Sequence, residues 1–108
     1  MAIVLECEIP LVSVNEKYIV ARGRMILSQK YRDCKNEIAL RCKKMKFLEK
    51  PMVDIDITTY KDIDACIKVI LDGLNGKVYY DDRDIAILRV YKTPAKRGSM
   101  DKIKVDVY

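Results

Sequence analysis

Residues 52–60 alternate between apolar and polar side chains, and this run constrains the fold more than any other stretch of the chain. The alternation has the two-residue period of a β-strand with one buried face. Its apolar members are Val53, Ile55 and Ile57, and its polar members are Asp54, Asp56 and Thr58. We therefore expect a sheet that is covered on one face, with Asp54 and Asp56 on the solvated face.

Two segments have the three- and four-residue apolar spacing of amphipathic helices. The first follows Ser28, a good N-cap residue, and is predicted over residues 29–47. Its apolar stripe consists of Tyr31, Cys34, Ile38, Cys42 and Met45. The second directly follows the alternating strand, is predicted over residues 64–75, and stops at Asn75-Gly76.

The other extended segments supply the remaining strands. An apolar strand is predicted over residues 2–9, and a small hairpin over residues 17–27 has Arg22 and Arg24 at its tip.

Two further strands are predicted at the C-terminal end, over residues 85–93 and 102–108, joined by a basic hairpin loop at 94–99. The order of elements predicts an α+β fold: a two-layer sandwich in which a mixed β-sheet packs two helices on one face. With no linker-like segment, residues 1–108 are expected to form a single domain.

The composition argues against several kinds of site. The chain has no histidine, which removes histidine general bases and the common catalytic triads. Its four cysteines are widely spaced without a CxxC pair, so we expect reduced core residues in a cytoplasmic protein and no zinc finger. No apolar run approaches a membrane span of about 20 residues, and the opening residues have no basic leader.

Acidic side chains cluster at two points in a chain whose formal net charge is +5. Asp62 and Asp64 stand at the entry to the second helix, and Asp81, Asp82 and Asp84 follow about twenty residues later. Carboxylates that converge on a hard cation provide charge stabilisation and an activated water for phosphodiester hydrolysis. The pattern therefore indicates a metal-dependent nuclease.

Each acidic motif also has a purely structural interpretation. Asp62 or Asp64 could cap the helix, and the second cluster could be an Asp-rich turn. Lys68, four residues after Asp64, could stabilise a transition-state phosphate. Its spacing alone favours an ordinary ion pair on the helix surface.

Basic residues are concentrated between Arg22 and Lys50, where ten Lys and Arg stand against three acids. This imbalance favours phosphate binding over an ordinary solvated helix face. The residues expected to contact DNA in this segment and in the basic loop are Arg22, Arg24, Lys30, Lys35, Lys96 and Arg97.

Three motifs in fixed order carry a resemblance to a known family. Lys61-Asp62-Ile63-Asp64 is followed by Lys68 and then, after an apolar helix, by the segment 78–85, which contains Asp81-Asp82. The opening loop, the basic run up to Ser28 and the closing strand pair also fit. Over nearly its whole length the chain resembles the RusA family of Holliday-junction resolvases.

The resemblance implies a homodimeric, Mg²⁺-dependent endonuclease that cuts four-way DNA junctions by paired symmetric nicks in recombination and repair, with Mn²⁺ as a substitute metal. It implies Asp62, Asp64 and Asp82 as catalytic metal ligands and Lys68 as the catalytic lysine, with Asp81 and Asp84 as substitutes or neighbours of the ligands. Lys61 is implied to contact DNA. No small-molecule cofactor or membrane association is expected, and a phage or prophage origin is common in the family.

Two residues depart from the family pattern. Ala65 replaces the usual asparagine, and Lys61 replaces the usual arginine, so the planar fork that grips phosphate is lost. We expect these changes to affect efficiency or sequence preference. The alternatives are a nuclease for other branched or single-stranded DNA and a non-catalytic, basic nucleic-acid-binding module.

Overall fold

The computed structural model describes residues 2–108, and Met1 of the predicted domain lies outside the described residues. In chain order the elements are β1 (Ala2–Glu8), β2 (Tyr18–Ala21), β3 (Arg24–Leu27), α1 (Gln29–Arg41), β4 (Met52–Thr59), α2 (Ile63–Leu74), β5 (Ile87–Pro94) and β6 (Lys102–Val107). Single turns of 3₁₀ helix lie at Val14–Glu16 and Asp82–Asp84.

The main sheet has the strand order β1-β6-β4-β5, and β2 and β3 form a separate hairpin. β6 runs antiparallel to both of its neighbours, whereas β5 runs parallel to β4. The mixed sheet and its two helices confirm the predicted α+β class. The parallel pair requires a crossover between its strands, and α2 is that crossover.

The alternating run forms β4 as predicted. Val53, Ile55 and Ile57 are buried in the core together with the apolar stripe of α2. The α1 stripe also joins this core through Tyr31 and Ile38, both of which are fully buried. Burial of these side chains on one face of the sheet fixes the register of β4, because a one-residue slip would turn its aspartates into the core.

The two helices cross closely at Gly73. A Cβ atom built on Gly73 would lie 2.6 Å from Cγ2 and 2.8 Å from Cβ of Ile38. Glycine in a helix interior is normally unfavourable, so this position is explained by the approach of α1. The contact holds α2, and hence the residues at its N-terminus, at a fixed distance from α1.

The predicted hairpin between the last two strands is wrong. β6 lies between β1 and β4, and β5 pairs only with β4 on the opposite side. The reason is burial: Ile103, Val105 and Val107 of β6 are all buried, which suits an inner strand, whereas most side chains of β5 are exposed at the sheet edge. The basic segment therefore crosses the end of β4, where the Ala95 N–H donates to the Thr59 carbonyl at 3.1 Å.

The first helix is shorter than predicted. It begins after Ser28, whose hydroxyl accepts the Tyr31 N–H at 3.1 Å as expected, but it ends at Arg41 and not at residue 47. Cys42 has extended backbone angles, and the next amides bond to other elements: Lys43 N–H to Val4 O at 2.8 Å and Met45 N–H to Lys77 O at 3.0 Å. Tertiary hydrogen bonds thus replace the helical ones.

The uncovered face of the sheet is polar. Asp56 is exposed, as predicted for this face, but Asp54 is only partly exposed. Arg89 Nε donates to Asp54 at 2.7 Å, and the Tyr108 hydroxyl donates to it at 2.8 Å. No helix in the part of the chain that the structure describes is long and apolar enough to cross a membrane.

The predicted hairpin around Arg22 and Arg24 is present as β2 and β3. Arg22 and Gly23 form its turn with φ of 52° and 75°, the left-handed conformation of a two-residue type I′ turn. The ribbon leaves large apolar side chains exposed on both faces, among them Val20 at 75% and Met25 at 70%.

Candidate active site

Asp62 and Asp64 lie at the N-terminus of α2, directly after β4. Asp62 occupies the N-cap position with an extended backbone, but its side chain makes no capping hydrogen bond. Asp64 lies in the first turn, and both residues are exposed. The helix therefore begins with two carboxylates at its positive end. Asp62 occupies the capping position, but its side chain does not cap the helix.

Lys68 connects α2 to the second acidic cluster. Its ammonium donates to Asp82 Oδ2 at 2.9 Å and lies 3.1 Å from Asp72 Oδ1. The hydrogen bond to Asp82 is the main cause of a raised Lys68 pKa, reinforced by Asp72 against partial burial. The lysine is thus held in its charged form between two carboxylates of different segments.

Asp72 anchors Lys68 from behind. Its carboxylate accepts the hydroxyl of the fully buried Tyr31 at 2.5 Å and lies 3.4 Å from Lys17 Nζ. Burial alone would raise the pKa of Asp72, but the bonds from Tyr31 and Lys68 lower it. A polar chain therefore runs from the base of the β2–β3 hairpin to Asp82.

The second acidic cluster is a single turn of 3₁₀ helix. Asp81 caps it by accepting the Arg83 N–H at 3.1 Å. Asp84 is partly buried in the same turn. The turn interpretation thus holds for Asp81, whereas Asp82 is the member that reaches Lys68.

The donor set suits a hard divalent cation in its chemistry. Asp62, Asp64 and Asp82 offer only carboxylate oxygens, the ligands that Mg²⁺ prefers. Among residues 2–108, no three His, Cys, Asp or Glu side chains lie close enough together to hold a metal ion.

Lys61 lies in a partly buried pair and not on an open surface. Its ammonium donates to Asp101 Oδ2 and to the Leu11 carbonyl, both at 2.7 Å, and the side chain is 26% exposed. Asp101 was not singled out in the sequence, because an isolated carboxylate between a loop and a strand has no periodic signal. Only the arrangement of strands brings it to Lys61.

The remaining basic residues fall into separate groups. Lys96 and Arg97 are exposed in the segment that crosses the end of β4, and Arg22 and Arg24 are exposed at the hairpin tip.

Lys30 and Lys35 lie elsewhere on α1. Lys30 is 3.1 Å from Glu16 and lines a groove of about 710 Å³ that also contains Lys61. Lys35 lines a second groove with Lys17 and Asp72. The residues predicted to contact DNA therefore lie on several separate elements.

The chain matches a known protein family. The family model described as endodeoxyribonuclease RusA matches residues 9–108. No curated protein matches the chain. The family match covers β2 to β6, both helices and every residue of the candidate site.

Proposed function

Since the chain belongs to the RusA endodeoxyribonuclease family, we propose that it resolves four-way DNA junctions in recombination and repair, by paired symmetric nicks that require Mg²⁺. The observation that supports this most is the ammonium of Lys68, held between Asp72 and Asp82 on the same helix that begins with the exposed carboxylates of Asp62 and Asp64. Phosphoryl transfer needs a fixed positive charge together with carboxylates that are open to a metal ion.

The carboxylates are proposed to hold the metal. Asp62, Asp64 and Asp82 would be its ligands, with Asp81 or Asp84 as substitute or neighbouring groups, and Mn²⁺ would replace Mg²⁺. A divalent cation bound there supplies charge neutralisation and a more acidic water. Asp62 and Asp64 come from the start of α2 and Asp82 from the 3₁₀ turn, and in this structure the three carboxylates are not close enough together to hold one ion. Metal binding would therefore have to draw together the two segments that the bond from Lys68 to Asp82 already joins.

Lys68 is proposed as the residue that stabilises the phosphate. Its ammonium is charged at neutral pH, as is usual for lysine, and the carboxylates of Asp82 and Asp72 raise its pKa further. In the proposed reaction it hydrogen-bonds the phosphate oxygens, where negative charge increases during attack. Asp72 would keep the ammonium in place when Asp82 binds metal, since Tyr31 and Lys17 hold Asp72 from the opposite side.

The DNA substrate is proposed to lie across the basic groups around the site. Lys96 and Arg97 are exposed beside the end of β4, from which Asp62 emerges, and would contact phosphates near the cut. Arg22 and Arg24 would reach a more distant arm. A homodimer would offer two such sites related by a two-fold axis, which matches a substrate with two equivalent strands.

Cleavage of an end-labelled four-way junction by wild type, Asp64→Asn and Asp56→Asn tests this proposal. Asp56 is the matched control because it has the same Asp-Ile-Asp context but lies exposed in the middle of β4. We expect wild type and Asp56→Asn to cut only with Mg²⁺ or Mn²⁺. Asp64→Asn should not cut, while binding the junction as tightly as wild type or more tightly.

A panel of fork, flap, single-stranded and linear duplex substrates identifies the substrate class. Preference for another branched DNA would retain the nuclease but reject junction resolution. Salt-sensitive binding without cleavage of any substrate, under any divalent cation, would contradict the nuclease proposal and favour a binding module.

A further inference from the structure

Asp101 is the most deeply buried carboxylate among the described residues, at 1% exposure, and it lies outside the proposed catalytic set. Its Oδ2 accepts the Leu11 N–H at 2.8 Å and the Lys61 ammonium at 2.7 Å, and its Oδ1 accepts the Thr59 hydroxyl at 2.5 Å. Burial would raise its pKa, but these three bonds lower it. The group is therefore a buried carboxylate with full hydrogen bonding.

The partners of Asp101 are also bonded to one another. Lys61 Nζ donates to the Leu11 carbonyl at 2.7 Å, and the Lys61 amide donates to the Thr59 hydroxyl oxygen at 3.1 Å. The Asp101 carbonyl accepts the Ile9 N–H at 3.1 Å. The set ties together the loop after β1, the end of β4 and the segment before β6.

This network ends one residue before Asp62. Thr59 is the last residue of β4, and Lys61 is held through both its backbone amide and its ammonium. Asp62 and Asp64 follow at once, on the N-cap and first turn of α2. Because their side chains are exposed and Asp62 makes no capping bond, the position of these carboxylates depends on the backbone that enters the helix.

We propose that Asp101 is a positioning residue for the active site, and that Lys61 acts with it to fix the backbone carrying Asp62 and Asp64. In this role the Lys61 ammonium binds Asp101 and the Leu11 carbonyl within the protein and contacts no phosphate. The inference rests on the proposed nuclease function. It adds a residue that touches neither metal nor DNA and gives Lys61 a different task from direct DNA contact.

The test compares Asp101→Asn, Lys61→Met and Lys61→Arg with wild type, after circular dichroism has established that each is folded. An asparagine at position 101 has only one side-chain oxygen that can accept hydrogen bonds, and its NH₂ group would face donors where the second oxygen of Asp101 accepts. Groups that orient metal ligands typically contribute 10- to 100-fold to metal affinity or activity. We therefore expect Asp101→Asn and Lys61→Met to slow single-turnover cleavage roughly 10- to 100-fold.

Two further readouts separate positioning from loss of folding or of DNA contact. Junction affinity and its salt dependence should stay near wild type in both variants, while the Mn²⁺ affinity measured by electron paramagnetic resonance without DNA should fall about tenfold or more. Lys61→Arg should retain most of the wild-type activity, because arginine keeps the charge and can donate to Asp101 and Leu11. If Asp101→Asn does not fold, Lys61→Met carries the test, since that side chain is partly exposed.

Wild-type cleavage and Mn²⁺ affinity in folded Asp101→Asn would overturn the inference. A Lys61→Met variant that binds the junction more weakly, with a salt slope reduced by about one and an unchanged cleavage rate, would return Lys61 to DNA contact. If wild type cuts no substrate, the nuclease proposal fails separately. The Mn²⁺ titration then still decides whether Asp101 positions the carboxylates: equal affinities in wild type and Asp101→Asn would reject it.

Discussion

At the scale of single residues, the position of Lys68 depends on groups that never reach the substrate. Asp72 lies behind the ammonium at 3.1 Å, and the Tyr31 hydroxyl holds Asp72 at 2.5 Å from within the core. A hydrogen bond to a charged acceptor at a buried site contributes more than one at the surface. Tyr31 is therefore both a core residue and the support of the proposed catalytic lysine.

Tyr31→Phe removes this hydroxyl while keeping the ring in the core. We expect the free energy of unfolding to fall by about 1.5–3 kcal/mol, the usual value for a hydrogen bond to a charged group, and cleavage to slow because Asp72 loses one of its anchors. Urea unfolding and single-turnover cleavage measure the two effects. Tyr80→Phe is the control, since Tyr80 is 78% exposed, and it should change neither quantity.

The loss of folding stability at acid pH should depend on Asp72 and Asp101. Hydrogen bonds lower the pKa of both carboxyls below the unfolded value of about 3.9, so the unfolded chain binds more protons in that window. Unfolding free energy should therefore rise with pH through this window and level off above about pH 5. Thermal unfolding of wild type and Asp101→Asn from pH 2 to 7 measures this, and an equally steep limb in the variant would contradict the assignment to Asp101.

Residue patterns identified the polar side chains that recur at regular spacing, but not those that depend on the topology. Asp62 and Asp64 were predicted as site residues from their place at the start of a helix, whereas the catalytic role of Lys68 was implied only by the family resemblance, because its spacing alone favoured an ion pair. The contact between Lys68 and Asp82 could not be derived from spacing, because fourteen residues and a change of direction separate them. Asp101 lies forty residues from Lys61, so no local pattern connects them.

At the scale of elements, the close crossing of α1 and α2 determines where α2, which carries the proposed site residues, lies. Gly73→Ala would place a Cβ atom 2.6 Å from Ile38 Cγ2 and 3.1 Å from the Lys35 carbonyl oxygen. Overpacking of this kind costs about 1–3 kcal/mol, which exceeds the gain of about 1 kcal/mol that alanine brings to a helix.

Gly73→Ala should therefore lower the free energy of unfolding, measured by urea denaturation. Asn36→Ala is the matched control, because Asn36 is exposed on α1 and its replacement should change stability by about 0.5 kcal/mol or less. A Gly73→Ala protein more stable than wild type would show that the helices separate at no cost.

The elements themselves were more predictable than their neighbours in the sheet. The periodicity of the apolar residues predicted β4 and α2, because each of these elements buries one face in the core. The sequence could not predict that β5 and β6 are not neighbours in the sheet. Two consecutive strands joined by a Gly-containing loop have the same sequence pattern whether or not they pair. The end of α1 was placed too late because Met45 continues the apolar spacing, although its amide bonds to Lys77 across the fold.

At the scale of the whole molecule, the side chains proposed to contact DNA do not lie on one helix face. They lie on the β2–β3 hairpin, on α1 and in the segment between β5 and β6. If Lys96 and Arg97 each neutralise a phosphate, replacing both by glutamine should reduce the slope of log affinity against log salt by about two. Arg41→Gln is the control, because Arg41 is paired with Glu37 at the far end of α1, and it should leave the slope unchanged. Junction binding at several salt concentrations measures this.

The proposed function requires paired cutting of a four-way junction. A supercoiled plasmid that extrudes a cruciform tests it directly, because two nicks across the junction in one encounter yield linear DNA, whereas independent nicks yield open circles first. We predict linear product from the earliest times with Mg²⁺, and none with Asp64→Asn. Open circles that accumulate before linear DNA, or equal cutting of a plasmid without the cruciform, would contradict the claim.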